Sequence, residues 1–315
     1  MIPLEMTLPK TQQNPTLMQP EKTPHLKPIN TFSIAAFDPD TNSLGVAVAS
    51  KFPAAGAVVP WVKAECCAVA TQSYANTSFG PEAFKLVASG KTAMETLDIL
   101  TQADPEASLR QVGIVDFHGQ AATFTGSECQ PWAGGLTGKH FAIQGNILTG
   151  PETVESMKLA YESSEEAFPE RLAAALLAGD RAGGDRRGRQ SAAIYIAQKG
   201  AGYGGFNDRW IDYRVDDHPD PVPQLQHLLN LHRLYFGHSA LTDRISLQDA
   251  LPDLYGILVS RGSMDTVPED LHDSSALQAL REFIGSENFE ERISFEEGWI
   301  DKPVLAFLHE TFLKD

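Results

Sequence analysis

A glycine- and arginine-rich segment at residues 183–191 is the densest group of chemically useful side chains in this sequence. Together with Arg181, two residues before it, the segment supplies four guanidinium groups, the others being on Arg186, Arg187 and Arg189. Glycine permits tight backbone turns, and a guanidinium can hold a carboxylate through two parallel hydrogen bonds. We therefore predict that Arg186 and Arg189 bind an acidic group of a substrate, while Asp185 orients an arginine or acts as an acid–base group. The alternative is a structural group of ion pairs with neighbouring loops.

Polar side chains also follow or open predicted strands, where a strand meets the edge of its sheet. Those positions carry Thr71, Ser73, Asn76 and Asn146 at strand exits, and Ser191 at the strand that follows the arginine segment. Such groups can hydrogen bond a substrate or stabilise an oxyanion, and they are equally suited to forming turns. We predict that all five bind substrate.

Lys51 follows a strand in which small residues alternate. Gly45, Ala47 and Ala49 lie on one face at a period of two, and Lys51 falls on the same face. The small side chains leave room for another layer, or for a ligand beneath the ammonium group. The alternative is a lysine at a strand end that extends into water.

The cysteines and histidines do not form a recognisable metal or redox pattern. Cys66 and Cys67 lie in an alanine- and valine-rich run, which indicates core packing. No Cys-x-x-Cys spacing is present, and the acidic residues near His218 lie in a segment that Pro219 and Pro221 make an extended linker. We predict neither a metal site nor a cofactor.

The elements that must position these groups are strands arranged in hairpins. Short apolar runs separated by turn residues predict hairpins at residues 31–50 and 111–125, and pairs of helices are predicted at 81–100 and 151–178. Hairpins imply antiparallel pairing, and helices must cover the sheet faces. We therefore predict an α+β fold, a four-layer αββα sandwich, over residues 31–236.

The two ends of the chain differ from this central part. Residues 1–30 contain six prolines and no apolar period, so we predict a flexible N-terminal extension. Residues 237–315 carry 16 acidic residues and six Lys or Arg, a net charge of −10, and three amphipathic runs predict a small, mostly helical domain.

Overall charge and hydropathy exclude some classes of partner. The 315-residue chain has a net charge of −16, which disfavours binding to nucleic acid. No run of 18 apolar residues could span a membrane, and no signal peptide is recognisable, so we predict a cytoplasmic protein without a membrane partner.

Many short blocks between residues 31 and 232 resemble, in order, a family known as domain of unknown function 1028. The blocks lie at residues 31–34, 44–52, 56–61, 68–76, 110–116, 144–146, 183–193 and 214–221. Residues 275–283 and 299–305 resemble, more weakly, a peptidoglycan-binding domain that is sometimes attached to this family.

The resemblance implies a place among the N-terminal-nucleophile (Ntn) hydrolase-like folds. In those enzymes the residue that opens the first strand attacks an amide, and its own α-amine, with a pKa of about 8, can act as the base. The matching positions would be Thr31 as the nucleophile and Lys51 as the cation that tunes it. Thirty residues precede Thr31 here, so its amine becomes free only if a protease or self-cleavage breaks the Asn30–Thr31 bond.

Two functions follow from these observations. The first is an Ntn-type amidohydrolase or peptidase, dependent on exposure of Thr31, acting on a small amide that bears a carboxylate. The second is a non-catalytic protein that binds a glycan or a protein partner through its C-terminal domain. The superfamily often associates, so the resemblance also implies a homo-oligomer.

Overall fold

The structure is a computed structural model that describes residues 31–237 and 241–313, so the predicted extension at residues 1–30 lies outside the described residues. Its strands are β1 (Thr31–Asp38), β2 (Ser43–Ser50), β3 (Pro60–Lys63), β4 (Cys67–Ser73), β5 (Arg110–Asp116), β6 (Ala121–Thr125), β7 (Gly134–Gly138), β8 (Phe141–Gly145), β9 (Ser191–Ala197), β10 (Arg209–Val215), β11 (Arg244–Ser246), β12 (Ile293–Ser294) and β13 (Trp299–Asp301). Its helices are α1 (Phe79–Ala88), α2 (Ala93–Ala103), α3 (Glu152–Ser163), α4 (Phe168–Arg181), α5 (Pro221–Phe236), α6 (Leu247–Ser260), α7 (Ser274–Ser286) and α8 (Lys302–Phe312).

The strands form antiparallel sheets within these described residues. The largest has six strands in the order β10-β9-β2-β1-β8-β7, and a second has four in the order β3-β4-β5-β6. The β1–β2 and β5–β6 pairs are antiparallel, as the hairpin pattern predicts, and β3 and β4 form a further antiparallel pair. The predicted α+β class is confirmed.

The alternation of side chains along β1 shows how the sheets are packed. Ile34 and Ala36 lie in a core with residues of α3, α4 and α5, whereas Ala35 and Phe37 lie in a core with residues of β3 and β4. Helices α1 and α2 pack on the four-stranded sheet through a third core. Because successive strand residues point to opposite faces, every second residue of β1 faces the space between the sheets.

The small-residue face of β2 is covered by a helix. A Cβ atom at Gly45 would lie 2.8 Å from Leu172 Cδ1 on α4, and Ala47 and Ala49 belong to the same core. The room left by these small side chains is therefore taken by another layer, the first of the two predicted uses, and not by a ligand.

The C-terminal part has more strand than the sequence predicts. Its helices α6, α7 and α8 pack around Leu254, Tyr255 and Leu280, as expected from the amphipathic runs. A three-stranded sheet in the order β11-β13-β12 completes this part. Strands of two or three residues are too short to show a period of two, which explains why they were not predicted.

A buried arginine attaches this C-terminal part to the end of α5. Arg292 Nε donates to Asp301 Oδ2 at 2.6 Å, and its Nη1 donates to the backbone carbonyls of Arg233, at 2.9 Å, and Gly237. The Tyr235 ring stacks on that of Phe289, with centroids 4.9 Å apart. The Arg233 carbonyl, which also accepts from the N–H of Gly237, and the Gly237 carbonyl just after α5 are thus both bonded from the C-terminal part.

Candidate functional site

Thr31 opens β1 on the face that lies between the two sheets. Its side chain is buried, and its Oγ1 donates to Ser50 Oγ, across the β1–β2 pair, at 3.2 Å. Its carbonyl oxygen accepts hydrogen bonds from the backbone N–H of Asn146 at 3.0 Å and from Gln72 Nε2 at 3.2 Å. The first residue of β1 is therefore hydrogen bonded to β2, to β4 and to the residue after β8.

Buried amide side chains fill the space next to Thr31. Gln72 on β4, Gln111 on β5 and Gln144 on β8 are each fully buried, as is Asn146 directly after β8. Each glutamine lies two residues from a small residue on the same face of its strand. We refer to these four residues and Ser33 as the amide network.

Hydrogen bonds join the amide network across the two sheets. Ser33 Oγ donates to Gln72 Oε1 at 2.6 Å and accepts from Gln144 Nε2 at 2.7 Å. Gln111 Oε1 accepts from Gln72 Nε2 and from Asn146 Nδ2, both at 2.8 Å. A buried network of this kind is rigid when its donors and acceptors are matched.

Backbone carbonyls fix the orientation of the amides. Gln111 Nε2 donates to the carbonyls of Gly145 at 2.8 Å and Gly134 at 3.2 Å, and Gln72 Nε2 donates to the Thr31 carbonyl. Since a carbonyl can only accept, the nitrogen ends of both glutamines must face these groups. Gln111 Oε1 must then face Asn146, which turns the Asn146 nitrogen toward Gln111. The Oδ1 atom of Asn146 is left buried without a hydrogen-bond partner.

Gly113 makes room for one member of the network. A Cβ atom at this position of β5 would lie 2.0 Å from Gln144 Oε1 and 2.5 Å from its Cδ. Any side chain on Gly113 would therefore push Gln144 out of its place between the sheets.

The ammonium group of Lys51 bonds to a backbone carbonyl and not to the Thr31 hydroxyl. Lys51 is exposed, and its Nζ donates to the carbonyl of Arg189 at 3.2 Å, while its backbone N–H donates to Asp185 Oδ2 at 2.9 Å. The geometry favours a lysine that extends into water, which was the alternative interpretation.

Asp185 is the centre of a set of structural hydrogen bonds. Its carboxylate is 1% exposed and accepts from the backbone N–H of Arg187, from Arg187 Nε and from Arg187 Nη2, at 2.7–3.0 Å. Together with the bond from Lys51, these contacts occupy both oxygens. They favour the structural ion-pair alternative for Asp185 over an acid–base role.

The arginines of the segment differ in how they are paired. Arg189 bonds to Asp180 at 2.8 Å and to Asp220 at 3.1 Å, and the hydrogen bond to Asp180 is the largest cause that raises the pKa of Arg189. The exposed guanidinium of Arg186 makes no hydrogen bond or ion pair with any described residue. Its backbone N–H donates to the carbonyl of Ile147 at 2.9 Å. The backbone of Arg186 is therefore fixed beside Ile147, the residue after Asn146, while its positive charge is not paired with any described residue.

The other predicted exit residues mainly form turns. Thr71 Oγ1 donates to the carbonyl of Asn76 at 3.2 Å. Asn76 bonds to Asp104 through Nδ2 and accepts from Ser78 through Oδ1. These bonds leave both residues outside the amide network.

Ser191 and Ser73 also lie outside the network. Ser191 Oγ donates to the carbonyl of Phe52 at 2.6 Å and accepts from the N–H of Ala55, which holds the turn after β2. Ser73 is buried beside Cys129. Burial raises the pKa of the Cys129 thiol, and the hydrogen bond with Ser73 opposes that rise.

The structure thus brings Thr31 and Asn146 together, whereas sequence reasoning missed the rest of the network. Ser33, Gln72, Gln111 and Gln144 were not predicted as site residues. The signal that could have found the glutamines is an amide at an inward-facing position of an otherwise apolar, buried strand.

Comparison with known families gives two matches along the chain. Residues 31–225 match the model described as "Family of unknown function (DUF1028)". The chain belongs to this family. Every residue of the amide network, together with Thr31 and Arg186, lies within the DUF1028 match. Residues 242–308 match the model described as "Putative peptidoglycan binding domain".

A solved DUF1028 structure supports the same conclusion. Protein SPO2555 from Silicibacter pomeroyi is 30% identical, and the alignment covers 65% of this chain and 89% of that one, with a TM-score of 0.59. No curated protein matches the chain. Within the described residues, no helix is both long and apolar enough to cross a membrane.

Proposed function

We propose that this DUF1028 protein is an amide hydrolase in which the hydroxyl of Thr31 is the nucleophile. The proposal includes the four-layer αββα architecture of the Ntn hydrolases for residues 31–236, with residues 237–315 as a separate small domain. The observation that carries it is the position of Thr31. It opens an inner strand of the six-stranded sheet, points between the sheets and is held against the buried amide network.

The chemistry begins with hydrolysis of the peptide bond between Asn30 and Thr31. Water adds to the carbonyl carbon of Asn30, which leaves a carboxylate there and a free amine on Thr31. That amine accepts the proton of Thr31 Oγ1 while the oxygen attacks the carbonyl carbon of the substrate amide. The proton then passes to the leaving nitrogen, and a second water hydrolyses the acyl ester. The network restrains the strand that carries both groups, which favours attack from one fixed geometry.

The N-terminus of the purified full chain tests this proposal. Intact-mass measurement should find a species that begins at Thr31. A protein that is homogeneous with Met1 in place, or whose N-termini are scattered and never include Thr31, would contradict the nucleophile assignment.

Arg186 should select substrates that carry a carboxylate. We expect Arg186→Gln to raise KM for an acidic amide by about 10- to 100-fold with little change in kcat, because a charge-assisted hydrogen bond contributes about 1.5–3 kcal/mol to binding. The measurement compares amides that differ only in a free carboxylate or its methyl ester. Arg181→Gln, in the same exposed region, is the matched control. Equal KM values for the acid and the ester in the wild-type protein would count against the subsite.

The match at residues 242–308 favours a second candidate function, binding of a cell-wall glycan. The full chain should then sediment with purified peptidoglycan, and a chain that ends at residue 237 should stay in solution. Equal recovery of both chains in the pellet would reject this function. Such a partner lies outside the cytoplasm, so cell fractionation also tests the predicted location. The proposed homo-oligomer can be tested by light scattering.

A further inference from the structure

We propose that Asn146 is a positioning residue that accepts a hydrogen bond from the α-amine of Thr31 through its Oδ1 atom. The inference rests on the proposed function, because that amine exists only after the bond before Thr31 is broken. It is carried by an observation that the hydrolase proposal does not use. The Oδ1 atom of Asn146 is a buried hydrogen-bond acceptor without a donor, although it belongs to a network of hydrogen-bonded amides.

The orientation of Asn146 cannot be reversed to remove this unpaired atom. Turning the side chain over would place its oxygen against Gln111 Oε1, and two acceptors cannot bond to each other. Turning Gln111 over as well would direct its oxygen at the carbonyls of Gly145 and Gly134, which now accept from its nitrogen. The unpaired Oδ1 is therefore a property of the whole network, not of one side chain.

The register of the sheet places this atom beside Thr31. Phe32 pairs with Gly145 in the β1–β8 ladder, so Thr31 and Asn146 are the next residues directly opposite each other. The backbone N–H of Asn146 donates to the Thr31 carbonyl at 3.0 Å. Asn146 Nδ2 bonds to Gln111 between the sheets, on the face to which Thr31 points. Side chains opposite each other on one face have Cβ atoms about 5 Å apart.

An acceptor at this position would orient the amine for its role as a base. An N–H of the amine that bonds to Asn146 Oδ1 leaves the lone pair free to face Thr31 Oγ1, on the side of Ser50. The acceptor also favours the charged ammonium form, which burial alone would disfavour. The charged or titratable side chains around this end of the sheets include Lys51, Asp185 and Arg187 beside β2, Arg186 beside Ile147, and Tyr74, Arg110 and Cys129 near Ser73.

The test compares Asn146→Asp and Asn146→Leu with the wild-type full chain. Asn76→Asp is the matched control, because Asn76 is another asparagine after a strand and its Oδ1 already accepts from Ser78. Each protein is labelled with 13C-threonine, its N-terminus is confirmed by intact mass, and the 13Cα signal of Thr31 is titrated with pH. The aspartate should raise the pKa of the amine by about one unit or more, the leucine should lower it, and the control should leave it unchanged.

The possible results separate this inference from the hydrolase proposal. If all chains begin at Thr31 and titrate alike, the role of Asn146 is rejected and the hydrolase proposal stands. If no wild-type chain begins at Thr31, both are rejected. If Asn146→Leu does not fold, Asn146→Ala takes its place, because it removes Oδ1 without adding bulk or charge, and an unchanged pKa in that variant would reject the role of Asn146.

Discussion

Thr31→Val should leave a folded protein that hydrolyses no amide. Valine keeps the branched shape of threonine and removes only the hydroxyl, so the loss of its hydrogen bond to Ser50 should cost about 1 kcal/mol of stability. Hydrolysis should fall by more than about 1,000-fold, because valine carries no hydroxyl that could form the acyl intermediate beside the Thr31 amine. The measurement is turnover of an amide substrate together with intact mass.

The matched control is Thr31→Ser, which retains a hydroxyl at the same position. It should keep measurable turnover and a chain that starts at residue 31. If Thr31→Val still loses residues 1–30 but no longer hydrolyses the substrate, a protease and not self-cleavage removes those residues. Turnover that persists in Thr31→Val would disprove the nucleophile.

Gln111→Leu should cause the largest loss of stability among single changes in the amide network. Gln111 accepts from two side chains and donates to Thr125 Oγ1 and to the carbonyls of Gly134 and Gly145. A leucine of similar size would leave several of these buried groups unpaired, and each unpaired group costs about 1–3 kcal/mol. We expect the free energy of unfolding to fall by about 2–5 kcal/mol, as measured by urea denaturation.

Gln198→Leu is the comparison for this change. Gln198 Nε2 makes one hydrogen bond, to the carbonyl of Thr41, at an exposed edge. Its replacement should change stability by less than about 0.5 kcal/mol. Similar losses for the two variants would mean that the amide network does not stabilise the contact between the sheets.

Local signals were sufficient to predict most of the elements around the site. The hairpin of β1 and β2 follows from two apolar runs around a turn, and helix α2 begins with a capping box in which Thr92 and Glu95 bond reciprocally. Strand β7 was missed because three of its five residues are glycine, which has a low strand propensity. It forms at the edge of the sheet by pairing with β8, a tertiary contact that a local pattern cannot show.

The candidate site was predicted only in part, for a similar reason. The arginine segment was recognisable as a group, but its pairings depend on Asp180 and Asp220, which folding brings close to it. Which arginine keeps a free charge could therefore not be predicted. The glutamines come from strands β4, β5 and β8, far apart in the chain, and their partnership exists only once two sheets face each other.

The Arg292 contact has a mechanical consequence for any surface to which the C-terminal part adheres. Helix α5 also packs on β9 and β10 through Val222, Leu225 and Leu229. The Arg292 contact therefore joins the C-terminal part to a helix that is itself fixed on the larger sheet. A chain joined by a loose tether would sample all tilts relative to that surface. The packed helix would instead hold the larger sheet at one angle and transmit a force applied to the C-terminal part directly to β9 and β10.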